Sequence, residues 1–129
     1  MTLDELNLHW HLVDELNKAR DRLQSMSSFL KAQSLDGMPR ATGESRKVES
    51  LAILVEQQAD AVDRMERIVQ KSEKPIREFI AGIHDNRTEQ IFSLRFIAGF
   101  EWGEVAAIVG GKNTEESVKA TCYRYLKRT

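Results

Sequence analysis

Lys112, Lys119, Arg124, Lys127 and Arg128 face only Glu115 and Glu116 at the end of the chain, a local balance of +3 in a protein whose net charge is −1. Cationic side chains in such a cluster neutralise phosphates, so this segment is the candidate electrostatic footprint for nucleic acid. Helical spacing puts Val118, Thr121, Cys122 and Tyr125 on an inward stripe. Ser117, Lys119, Ala120, Tyr123, Arg124 and Lys127 are left looking outward.

Other residues with chemical potential give less. His9 and His11 lie two apart on a helix and point to different faces, so they do not share a metal as an i, i+4 pair can. His84 has no neighbouring ligand pattern. The Asp and Glu residues fall on the polar sides of long helices. Gly110-Gly111-Lys112-Asn113-Thr114 lacks the Walker spacing and a preceding strand. No enzyme, cofactor, catalytic residue or metal ligand is expected. Cys122 is the single cysteine, which excludes an internal disulfide, and its place on the inward stripe predicts a buried thiol.

The elements that position the basic segment can be read from spacing. Trp102, Val105, Ala106 and Val109 fall at i, i+3, i+4 and i+7 on one face of a short helix, which Gly99 opens and Gly110 closes with positive φ. Ala106 leaves room mid-face for a neighbouring helix to cross. Thr114 is a good N-cap, and Glu115 and Glu116 suit the positive end of the next helix. Two short helices joined by a glycine-containing turn make a helix-turn-helix candidate.

Leu94-Arg95-Phe96-Ile97, Gly99, Trp102, Val105-Ala106, Gly110 and Val118 resemble the C-terminal promoter-binding part of sigma-70-type factors, region four. The chain is still more similar to small phage-encoded sigma-like regulators. In these, Leu35-Asp36-Gly37-Met38-Pro39-Arg40 follows a long helix, and Gly110-Gly111-Lys112-Asn113-Thr114-Glu115-Glu116-Ser117-Val118 forms the turn. The similarity covers roughly Leu23 to Lys127, with a turn about two residues longer than in a standard region four. It implies that Glu116, Ser117, Lys119, Ala120, Tyr123, Arg124, Lys127 and Arg128 meet DNA, with Glu116 matching a glutamate that reads a base. A glutamate there accepts a hydrogen bond from cytosine N4 in the major groove. Glu115 and Ser117 replace arginines found in many promoter readers, so the family's usual promoter sequence is not expected.

Leu3, Leu6, Trp10, Val13, Leu16, Ala19, Leu23, Met26 and Leu30 predict one long amphipathic helix. Asp36-Gly37, Pro39 and Gly43 predict a loop over about 33–46. Val48, Leu51, Val55, Val62, Met65 and Val69 then follow heptad spacing, with Gln58 and Ser72 as polar seam positions. Pro75 is expected to end or kink that helix, or to sit in the first turn of a new one. Asn86 and Glu89 read as a capping-box variant before a helix over about Arg87–Ala98.

These elements give an all-α fold: a long antiparallel helical hairpin over 1–73, coiled-coil-like and about 40 Å long, then a helix-turn-helix domain over 74–129. A hairpin this thin buries little, so a homo-oligomer through it is expected. No run approaches a membrane span and no cationic, apolar leader opens the chain, so a cytoplasmic location, that of the host cell if phage-encoded, is expected.

Three functions fit. The first is a phage transcriptional regulator that binds double-stranded DNA and contacts host RNA polymerase. The second is a small terminase-like DNA-packaging adaptor. The third is a protein-interaction module that mimics sigma region four.

Overall fold

The computed structural model describes residues 1–35 and 42–128. Among them the protein is all-helical, with no strand: α1 (Leu3–Leu35), α2 (Thr42–Ala81), α3 (Asn86–Phe92) continued by a π-helical turn (Ser93–Ile97), α4 (Trp102–Val109) and α5 (Glu115–Arg128). The expected turn residues Asp36, Gly37, Pro39 and Arg40 lie outside the described residues. The two long helices run further into the 33–46 stretch than expected, α1 reaching Leu35 and α2 starting at Thr42. No helix among the described residues is long and apolar enough to cross a membrane.

Contacts divide the chain into two compact units, Met1–Glu15 with Ile68–Thr129, and Leu16–Arg67. Both long helices therefore belong in part to each unit, and the boundary expected at 73/74 falls inside α2. Pro75 does not end α2, which continues to Ala81. A proline in a helix interior costs about 3 kcal/mol. Val69 before it and Ile76 and Ile80 after it are buried, so packing on both sides holds the helix through the missing hydrogen bond.

In the first unit α1 starts on a reciprocal cap, with Glu5 N donating to Thr2 Oγ1 and Thr2 N donating to Glu5 Oε2, both at 3.2 Å. Leu6 from this segment enters a core with Ile76, Ile80 and Ile83, with Ile91, Phe92 and Phe96, and with Trp102, Val105, Ala106, Val118 and Cys122. Phe92 is its aromatic centre, with ring centroids 5.8 Å from Phe79, 5.7 Å from Phe96 and 5.6 Å from Tyr125. The cap of α3 is Asp85 rather than Asn86: its carboxylate accepts from Thr88 N at 3.1 Å and Thr88 Oγ1 at 2.6 Å. Those two bonds hold the Asp85 carboxyl below its ordinary pKa.

His9 is 1% exposed, while His11 two residues on is exposed. The Nδ1 of His9 lies 2.6 Å from Ser72 Oγ, and Ser72 Oγ donates to Val69 O at 3.2 Å. Ser72 thus meets a polar partner inside the seam. Burial lowers the pKa of His9, against a smaller upward pull from Glu73, so the ring sits neutral in the core.

The second unit closes around Leu16, Ala19 and Val62. The other polar seam residue, Gln58, donates from Nε2 to Ala19 O at 3.0 Å. Arg20 and Glu66 pair at 2.9 Å, the arginine exposed and the glutamate half-exposed, a contact worth at most about 1 kcal/mol.

Cys122 is fully buried, and desolvation pushes its thiol up to about 12. The unfolded thiol ionises near its ordinary value, so this group's contribution to stability is complete below that value and is lost as pH rises toward 12. Native protein at mildly alkaline pH should resist iodoacetamide and label rapidly once denatured. Rapid labelling of the native chain would place the thiol at the surface.

Candidate nucleic-acid interface

α5 is seated by the residues its spacing predicts: Val118, Thr121 and Cys122 are buried, and half-buried Tyr125 meets Phe79 and Phe92 edge-on. Thr114 and Ser117 cap it reciprocally. Ser117 N donates to Thr114 Oγ1 at 3.2 Å, and Thr114 N donates to Ser117 Oγ at 2.8 Å.

Before it, α4 buries Trp102, Val105 and Ala106. Gly110 at φ 76° and Gly111 at φ 64° then reverse the chain, both in the region that favours glycine. Asn113 locks this turn by donating from Nδ2 to Gly110 O at 2.7 Å.

Arg87 was not legible as part of the site. From α3 it donates through Nε at 3.1 Å and Nη2 at 2.6 Å to Asn113 Oδ1, and through Nη1 at 2.6 Å to Thr121 Oγ1. One guanidinium therefore ties α3 to the turn and to α5, the fork geometry for which arginine is suited. Its partners lie 26 and 34 residues on, and a charged residue in a first helical turn ordinarily reads as solvated.

A second arginine, this one buried, supports α4. Arg95, 9% exposed, lies with Cζ 3.9 Å from the Trp10 ring centroid and 4.6 Å from that of Trp102. The Phe100 carbonyl accepts both Arg95 Nη1 and Trp10 Nε1 at 3.1 Å, which fixes the connection into α4 just after Gly99 (φ 84°). Only the helical phase of Trp10 hinted at this arrangement. Arg95 reads as a surface charge.

The outward face of α5 carries Glu116, Ala120, Tyr123, Arg124, Lys127 and Arg128 exposed, with Ser117 and Lys119 half-buried. The structure thus brings all eight residues onto one helix, but engages some of them locally. The Ser117 hydroxyl is committed to the cap, Lys119 Nζ pairs with Glu115 Oε1 at 3.2 Å, and Arg124 Nε donates to Ala120 O at 3.3 Å. Beside this face a polar cleft of about 190 Å³ runs between Asp85, Arg87 and Thr88 on one side and Thr121, Arg124, Tyr125 and Arg128 on the other. No group of three metal-ligating side chains occurs among the described residues.

Set against family models, curated proteins and solved structures, the chain matches none.

Proposed function

We propose that this chain is a phage transcriptional regulator in which α4, the 110–114 turn and α5 act as a helix-turn-helix on double-stranded DNA. In this reading α5 is the recognition helix, α1 and α2 form a helical hairpin, and host RNA polymerase is a further partner. The observation that carries the reading is the division of α5 into two faces. Val118, Thr121 and Cys122 are buried on one, and Arg124, Lys127 and Arg128 stand exposed on the other with Tyr123 and Glu116. The likeness of this stretch to sigma region four adds the expectation that Glu116 meets a base edge, where a carboxylate accepts from cytosine N4.

Duplex binding followed by fluorescence anisotropy against salt concentration tests it. If about four cations neutralise phosphates, the log-log slope should lie near −3 to −4. Arg124→Ala should weaken all sequences alike and flatten the slope by about one unit. Glu116→Ala should instead relax preference at one base pair by about 1–3 kcal/mol and leave the slope unchanged. Absence of salt-dependent binding to any duplex would overturn the reading and leave α4 and α5 to a protein partner.

A further inference from the structure

The unit Leu16–Arg67 carries more apolar side chain than it covers. Between Arg20 and Ala61 no described side chain is buried. Leu23, Met26, Leu30, Leu51 and Val55 are only half-buried, and Phe29, Ile53 and Leu54 are 59%, 56% and 50% exposed. Leu23, Met26, Leu30, Leu51 and Val55 have the period of a core, Phe29, Ile53 and Leu54 widen the apolar surface beyond it, and two helices do not supply the atoms to close so much.

We infer that a second copy of this chain covers this face, with α2 lying antiparallel on its counterpart so that four helices enclose the apolar residues. The area fits such an occupant. A free aromatic side chain exposes roughly 150–250 Å², and an aliphatic one of this size somewhat less. At 50–59% exposure Phe29, Ile53 and Leu54 alone leave roughly 300 Å² of apolar surface open, and the five half-buried residues add to it, toward the apolar share of a standard interface of about 800 Å² per partner.

Charge fits as well. Ile53 and Leu54 stand with exposed Arg46 and Lys47 about two turns before them and exposed Asp60 about two turns after. An antiparallel copy centred on Ile53 and Leu54 sets the Arg46 of each chain against the Asp60 of the other along the same edge. Four amphipathic helices packed with their apolar faces inward form a stable bundle. The pairing stands on the Leu16–Arg67 unit alone and does not depend on what α5 binds.

Sedimentation velocity on the full chain without DNA, from about 1 to 100 μM, tests the inference. The expected species has twice the 14.8 kDa of one chain. Leu54→Glu, at an exposed position that leaves the fold intact by circular dichroism, should raise the dissociation constant at least about 100-fold. Arg46→Glu should raise it about tenfold, and adding Asp60→Arg to the same chain should restore it. A monomer throughout the range, a dimer indifferent to Leu54→Glu, or failure of the charge exchange to restore pairing would each overturn it. So would a ring of many copies, the outcome that favours a packaging adaptor.

Discussion

Trp102→Ala should destabilise the protein by about 3–5 kcal/mol, the range for deleting a buried aromatic side chain. Trp102 is 8% exposed and stands edge-on to Phe96 at 6.2 Å and to Tyr123 at 6.3 Å, so the alanine leaves a cavity between the π turn, α4 and α5. The same change strips one aromatic face from Arg95, whose buried Nε already lacks a hydrogen-bond partner. An uncompensated buried cation adds to the cavity cost. Trp102→Phe keeps most of the volume and should cost distinctly less. Urea unfolding followed by circular dichroism measures both, and a Trp102→Ala midpoint equal to the native one would mean that the side chain is not packed as described.

Residues 74–129 made alone should fail to fold cooperatively. The segment contains α3 to α5, yet its core is completed from the other end of the chain. Leu6 has no exposed surface, His9 and Val13 are buried, and Trp10 donates to the Phe100 carbonyl and covers Arg95. Losing Leu6 and Trp10 together removes contacts worth about 2–5 kcal/mol each. That is comparable with the whole stability of a domain, about 5–15 kcal/mol. A sigmoidal thermal melt and dispersed amide resonances for the isolated segment would show that Met1–Glu15 is dispensable.

The elements around α4 and α5 were legible because their determinants are local. The 3.6-residue period of Trp102, Val105 and Ala106, the positive φ of Gly110 and the Thr114 cap all lie within one stretch of chain, and each is found as read. The long helices were legible for the same reason, from amphipathic spacing alone. What spacing does not encode is a polar residue buried by a distant partner. His9 lies on the stripe of Leu6, Val13 and Leu16, but its partner Ser72 is 63 residues away. Arg87 and Arg95 look like surface charges until Asn113, Thr121, Trp10 and Trp102 are brought to them by the fold. Pro75 misleads in the opposite sense, since local propensity argues for a break that packing on both sides overrides. The exposed face of α5 follows from its buried stripe. The hydroxyl of Ser117 and the ammonium of Lys119 turn instead to Thr114 and Glu115, neighbours a helical wheel does not weigh.

The sandwich of Arg95 between Trp10 and Trp102 makes the chain a natural optical probe of one locus. The protein has two tryptophans, and both lie against the same guanidinium. Intrinsic emission therefore reports the polarity of that one spot in the unit Met1–Glu15 with Ile68–Thr129, whereas far-UV ellipticity averages over every helix. Leu16–Arg67 contains no tryptophan and is silent in emission. Loss of its helices while the sandwich holds gives an ellipticity change with no emission change, and coincidence of the two signals marks a single all-or-none transition.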